Sequence, residues 1–457
     1  MSNSLIFLHS QLIQFSNTIL TALSKANYTQ PAGTNISTKS ILESLLTNQI
    51  LKPNQELNET QLHNSIKNFT LATALLSSSE LSTHELLNWV PDDLSFLANS
   101  VFYEFSRVYC RSEIGGRNEK RVSEVLGFEC GEVSEEKRLV VELIHEILPV
   151  LKERIQESSI DKGDDGDEIS AASARAPVGF AVLAAYQFRW FVTQVDYPYL
   201  GKMCNLVIPC GLTALDHWSS EVKGQGMISF VHLARNVHAT ELSWYEDVIL
   251  DACCQNIASA DEIWHHVVEM SVIIVTHIHR SNPRSPWFER MLSEMLSHLE
   301  RQPRNKDRRT EWLKFIGPLF DAVGLVLLAH FRRIFPLFFQ WLHADDDETV
   351  LLVLKQIQKV IRLTWIRNTA YVERLVDELV VLYKEAALKT ARGEIRTSVH
   401  EILILLKQCK GVQFKSAWDK YCDDPNLMIL SSSLSGTTMY EGTVQAEVSH
   451  SCCIQEG

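Results

Sequence analysis

Residues 206–251 read LVIPCGLTALDHWSSEVKGQGMISFVHLARNVHATELSWYEDVILD. Leu206, Val207, Pro209, Leu212 and Leu215 mark a first apolar helix, and Asp216 to Ser220 form a tight polar turn. Val222, Met227, Phe230, Val231, Ala234 and Val237 then recur near the 3.6-residue period of a buried helical face. Neither helix carries enough apolar surface to stand alone. Each must bury its stripe against its neighbour and against the next pair. That restricts the chain to an all-α fold made by stacking antiparallel helix pairs, a right-handed α-solenoid.

The same pattern runs through the rest of the chain. Amphipathic helices are expected over 4–25, 37–51, 60–76, 82–89, 91–110 and 134–156, with a loop at Gly115 and Gly116. After residue 178 the expected helices are 178–195, 198–216, 220–237, 244–257, 260–280 and 287–301. A basic loop at 302–309 precedes an apolar stretch, 310–342, which Pro318 and Pro336 divide. Helices over 347–367, 369–392 and 395–408 complete the series. Ser243 with Glu246, and Ser259 with Glu262, have capping-box spacing. No segment has the two-residue alternation of a strand. Residues 157–177, ESSIDKGDDGDEISAASARAP, hold acids and small residues without period and are expected to be a mobile acidic linker. The expected organisation is an N-terminal helical region (1–156), that linker (157–177), armadillo-like helical repeats (178–426) and a disordered tail (427–457).

Composition narrows the function. The formal net charge of −13 opposes wholesale nucleic-acid binding, which needs a cationic surface. The first twenty residues lack a basic start, and polar residues interrupt their apolar ones, so no leader peptide and no membrane span are expected. The ten cysteines are scattered with no CxxC pair, which suits reduced thiols in the cytoplasm or nucleus. Cys452 and Cys453 lie too far from the terminus for a prenylation box.

Chemistry-bearing patterns are weak. His265, His266, His277 and His279 share one expected helix, but no two have the i, i+4 spacing that puts two imidazoles on one metal. Gly224 and Gly226 echo a dinucleotide loop without its third glycine or preceding strand; close packing of two helices explains them better. Asp161–Glu168 has the acids of a calcium loop, but Ala172 stands where the bidentate glutamate belongs. No phosphate loop, nucleophile elbow or acid–base pair is present, so no catalytic, cofactor or metal residue is assigned.

The two-helix unit recurs at 334–361. Pro336 matches Pro209, Leu342 matches Leu215, and Val350 matches Val222 with one residue inserted. The two prolines lie 127 residues apart, or three periods of roughly 42. A proline in the first helix, Asp216 at the turn, then Val222, Lys223 and Gly226 resemble a HEAT repeat. Within that superfamily, Pro209, Leu215, Asp216, Lys223, Gly226, His232, Leu233, Trp244, Asp247 and Val248 resemble the second Tel-two-interacting protein family of the Triple T co-chaperone complex. The resemblance implies a non-catalytic adaptor for the maturation of phosphatidylinositol-3-kinase-related kinases. Its implied partners are Tel-two-type and first Tel-two-interacting-type helical-repeat proteins, and kinases through a chaperone. An unrelated armadillo-type adaptor in transport or ubiquitin ligation is the alternative scaffold, and an enzyme with an unrecognised site is the alternative of another class. Six residues are candidates for partner contact: Asp216, Trp218 and Lys223 at the turn, and Lys355, Lys359 and Arg362 on one face of a later helix. Trp218 has two readings, a cap on the repeat interface or a partner anchor, and the cap is preferred.

Overall fold

The computed structural model describes residues 2–32, 34, 36–47, 58–82, 84–158, 176–367 and 370–436, and among these it contains helices and no strand. In chain order the helices are α1 (Ser2–Lys25), α2 (Thr38–Thr47), α3 (Glu59–Ser77), α4 (Asp92–Cys110), α5 (Glu113–Leu126), α6 (Glu135–Glu157) and α7 (Val178–Thr193). Then come α8 (Cys204–Asp216), α9 (Ser220–Asn236), α10 (Ala239–Leu242), α11 (Glu246–Asn256), α12 (Trp264–Ile278) and α13 (Pro286–Arg301). The last are α14 (Lys306–Phe315), α15 (Gly317–Val323), α16 (Phe331–Leu342), α17 (Asp347–Thr364), α18 (Ala370–Glu385), α19 (Arg392–Trp418) and α20 (Met428–Gly436).

Two compact units divide the chain, Met1–His298 and Leu299–Gly457. In the first, helices stand in two rows. One row runs α4, α6, α8, α11, and the other runs α3, α7, α9, α12. Each helix also packs across to the other row, as α3 on α4, α6 on α7, α8 on α9 and α11 on α12. The helices before residue 157 therefore continue the same stack as those after 177. The expected division at 157–177 is not where the compact units part, and residues 159–175 of the expected linker lie outside the described residues. In the second unit α14, α17 and α19 form one row, with α16 packed on α17 and α18 on α19. This is the stacked-pair architecture of HEAT and armadillo proteins.

The repeat is visible in three dimensions. Pro209 lies inside α8 and Pro336 inside α16, and the second helix opens eleven residues after the proline in both. The two copies thus align without the inserted residue. In that register Gly226 corresponds to Val353, and both are buried.

Several expectations are corrected. Residues 84–89 are turns, not a helix, and residues 48–51 of the second expected helix are outside the described residues. Gly115 and Gly116 sit within α5, because Ser112 caps that helix by accepting the Gly115 amide at 3.0 Å. A Cβ at Gly115 would stand 2.2 Å from the Tyr109 carbonyl oxygen, so glycine there permits a close approach. The basic loop is only 302–305. Asn305 caps α14, which carries Arg308 and Arg309. Pro336 does not divide the apolar stretch; the break falls at Gly324, whose φ of +55° suits glycine. Residues 317–342 are long and apolar enough by composition to cross a membrane, but they form α15, a 3-10 segment and α16, and bury Phe331, Phe335 and Phe338 in the core. Ser243 does not stand at a helix N-cap, and Ala260 rather than Ser259 is the N-cap of the short 3-10 turn before α12. Ser243 donates to the Thr240 carbonyl instead, and the capping box there is formed by His238 and Glu241. The start of the expected tail is helical: Leu427, Leu430 and Leu434 are buried, while 437–457 lie outside the described residues.

Candidate protein-interaction surface

The turn between α8 and α9 is a locked junction. His217 is fully buried. Its Nδ1 accepts the Ser219 amide at 3.0 Å, which leaves Nε2 to donate to the Ser158 hydroxyl at 3.1 Å. Burial pushes this imidazole down to about 4, so the ring is neutral at neutral pH. Trp218 stacks on His217, and its indole N–H donates to the Ser158 carbonyl at 3.0 Å. Ser158 is the residue that ends α6. The tryptophan therefore acts as the cap that ties this turn to the neighbouring helix pair, and 54% of it remains exposed.

The other turn candidates divide. Asp216 ends α8 and is exposed. Lys223 is half-buried and reaches across to α11, where its Nζ donates to Asn256 Oδ1 at 3.0 Å. Gly226 lies at the crossing of α8 and α9. A Cβ placed there would meet the Ala214 Cβ at 3.0 Å and Leu215 Cδ2 at 3.4 Å. Gly226 is thus a packing device, whereas a Cβ at Gly224 would make only ordinary contacts, 3.6 Å from Ile263 and 3.7 Å from His266. Asn256 and Ser158 carry no sequence signal, since their roles depend on helices that meet only in the fold.

On α17 the structure separates the three cations. Lys359 is engaged, donating to Asp321 Oδ2 at 2.5 Å and to the Gly317 carbonyl at 3.3 Å. Lys355 and Arg362 are exposed, and among the described residues neither has a carboxylate within 4 Å. The acids beside them are occupied: Glu348 pairs with Lys314 at 3.0 Å, and Glu401 accepts from Gln358 at 3.3 Å. The cations at 302–309 serve the fold in part. Arg309 bonds Asp346 and the Thr349 hydroxyl, and Asp346 caps α17 by accepting the Thr349 amide at 2.9 Å.

The histidines of α12 disperse. The rings of His265 and His266 lie 3.6 Å apart, His277 donates to the Val237 carbonyl at 2.9 Å, and His279 stands 3.1 Å from Glu246 just beyond the helix end. Burial, then the neighbouring His265, pushes His266 down to about 4. Among the described residues no three His, Cys, Asp or Glu side chains gather at metal-holding distance. The acidic segment Asp161–Glu168 lies outside the described residues. A cavity of ≈ 470 Å³ among α2, α3, α6 and α7 is lined by Ile41, Leu45, Leu75, Phe180 and Leu183; among the described residues its charged side chains are Arg154 and Glu157, and none of its lining is an imidazole or a thiol. Among the described residues one carboxylate is strongly perturbed, and it lies elsewhere. Glu142 on α6 is buried and accepts the Tyr109 hydroxyl at 3.0 Å, and burial pushes it up to about 7.

No family profile matches the chain. An uncharacterised Arabidopsis thaliana protein, At2g39910, is 54% identical over 427 residues, covering 93% of this chain and 94% of its own length. The chain belongs to the family of that protein. More distant homologues include TELO2-interacting protein 2 of mouse, 22% identical over 276 residues, and of human, 21% identical over 262 residues. These alignments cover 53% and 52% of this chain and 51% of each relative, so the chain spans about half the length of the TELO2-interacting proteins it matches. Among solved structures, a Kap121p mutant superposes with a TM-score of 0.45 at 10% identity, over 93% of this chain and 45% of that one. Kap95p bound to RanGDP superposes with a TM-score of 0.44 at 12% identity, over 92% and 65%. Of the positions that carry the resemblance to the second Tel-two-interacting family, Leu215, Gly226 and Leu233 are buried. Trp244 stands 87% exposed, with the exposed Val248 one turn further along.

Proposed function

We propose that this protein is a non-catalytic helical-repeat scaffold, and that it serves as a co-chaperone adaptor subunit in the maturation and stability of phosphatidylinositol-3-kinase-related kinases. The observation that carries the reading is its homology to proteins named for interacting with TELO2. The architecture is consistent with it: stacked helix pairs present long exposed ridges and hold no constellation of catalytic geometry among the described residues. On this reading the protein works in the cytoplasm or nucleus, beside Tel-two-type and first Tel-two-interacting-type helical-repeat proteins, and reaches kinases through a chaperone. Rapid depletion of the protein in its own cells tests this. Kinases of that class should fall in abundance while their messenger RNA is unchanged. Unchanged kinase levels after full depletion would refute the adaptor role, and turnover of a small molecule by the purified chain would refute the scaffold reading.

A further inference from the structure

The end of α17 departs from what a helix terminus requires. Helices that finish in the left-handed region use glycine or asparagine there. Here Trp365 occupies that position with φ of 51°, and Ile366 follows with φ of 43°. A β-branched residue at positive φ is an outlier. The conformation is held from inside. Ile366 is fully buried, and its amide donates to the Thr364 hydroxyl at 3.2 Å, while Thr364 is itself buried and donates to the Val360 carbonyl at 2.7 Å. The Trp365 amide closes the helix on the Ile361 carbonyl at 2.7 Å. With the isoleucine fixed inward, the indole is left 62% exposed, and among the described residues it stacks on no other ring.

Cations surround it. Arg362 lies one turn before Trp365, Arg367 two residues after it, and Lys355 two turns back on the same stripe. All three are exposed, and among the described residues none has a carboxylate within 4 Å. A cation in the last helical turn does complement the helix dipole, which accounts for Arg362. It accounts neither for Lys355, nearly three turns from the helix end, nor for an exposed indole where glycine would fit without strain. The chain as a whole carries a net charge of −13, so this ridge is a local reversal of sign.

We propose that this end of α17 is a docking ridge for an extended acidic segment of a partner protein. Charge complementarity identifies the occupant. Lys355 and Arg362 are seven residues apart on a helix, about 10 Å at 1.5 Å per residue. A chain in the extended polyproline II conformation rises about 3.1 Å per residue with three residues per turn, so side chains three apart share one face at a spacing of about 9 Å. The segment therefore offers two carboxylates at three-residue spacing, with an apolar side chain beyond the second that covers the Trp365 face and a further acid for Arg367. This deepens the scaffold reading by giving one site a partner chemistry, and it stands or falls separately from the co-chaperone assignment.

The test is selection of a displayed library of random twelve-residue peptides on the full chain, followed by anisotropy measurements with the enriched peptides. The enriched set should be acidic, with acids three apart beside an aromatic or branched apolar residue. Their binding should weaken at least ten-fold in Arg362→Glu with Arg367→Glu. It should stay within two-fold in Arg332→Glu, which reverses an exposed cation of α16. Trp365→Gly suits the backbone better than tryptophan, so a loss of binding there is not a loss of folding, and thermal unfolding of each variant checks this. Enrichment without an acidic excess, or affinity unchanged from the parent in the reversed-charge or Trp365→Gly variant, overturns the proposal. So does tighter binding of single-stranded DNA than of the peptides, or an acidic peptide that displaces nothing but a second copy of the chain.

Discussion

Replacing Gly226 probes the contact on which the central helix pair depends. The added Cβ of Gly226→Ala would stand 3.0 Å from the Ala214 Cβ and 3.5 Å from the Gly211 carbonyl oxygen. Both atoms are fixed to the α8 backbone, so the helices must part by a few tenths of an ångström. Against that, alanine is favoured over glycine inside a helix by about 1 kcal/mol. The two effects oppose each other, and the alanine variant is predicted to lie within roughly 1 kcal/mol of the parent. Gly226→Leu adds three more carbons to the same closed space. Overpacking of that kind costs about 1–3 kcal/mol. With an m-value near 3 kcal/mol/M for urea, the unfolding midpoint should fall by roughly 0.3–1 M. Hydrogen exchange should show lost protection concentrated in α8 and α9. Gly116 is the control: it lies in α5, and a Cβ there would meet nothing within 4 Å. Gly116→Ala should therefore stabilise by roughly 0.5–1 kcal/mol. An unchanged midpoint in Gly226→Leu, or equal behaviour of the two glycines, would refute the packing argument.

Three further outcomes follow from polar groups at helix contacts. His217, held neutral with its value near 4, binds its proton more readily in the unfolded chain, so stability should fall as pH drops from about 6.5 to 4. The loss is on the order of 3 kcal/mol, and His217→Gln should remove that part of the slope in urea midpoints measured against pH. Glu142 has the opposite sign: its value is raised to about 7, so the folded chain binds its proton more readily and stability is lost as pH rises from about 4.5 to 7. Glu142→Gln should be more stable than the parent at pH 8 by up to about 3 kcal/mol and closer to it at pH 5, and a constant difference across that range would contradict the assignment. Trp218→Phe removes the bond to the Ser158 carbonyl and should lower stability by about 1 kcal/mol; no change in midpoint would show that the indole does not tie the turn to α6.

The helices were largely legible because apolar residues return every three or four positions, and burial follows that stripe directly. Val222, Met227 and Phe230 are expected inside and are buried. What escaped depends on local competition or on tertiary partners. Gly115 and Gly116 look like a loop because glycine lowers helix propensity, yet the Ser112 cap starts a helix and the close pass of Tyr109 needs the first of them. Pro336 looks like a helix break, but α16 continues through it, and Gly324 makes the break instead. Arg309 looks like part of a solvated loop because its acceptor Asp346 is distant in sequence. The candidate surface was legible to a similar degree. The stripe on α17 is visible from its spacing, but which of its cations is free depends on Asp321, which only the fold brings to Lys359. Trp365 gave no signal, since nothing in the run Leu363-Thr364-Trp365-Ile366 announces a left-handed turn.

The most direct test of the proposed role is reconstitution. The purified chain would be mixed with the Tel-two-type and first Tel-two-interacting-type proteins of its own organism, and the mass of the eluting species measured by light scattering. One species with the mass of all three chains together is expected. Elution of this chain alone at 52.0 kDa, at concentrations where the other two associate, would contradict it.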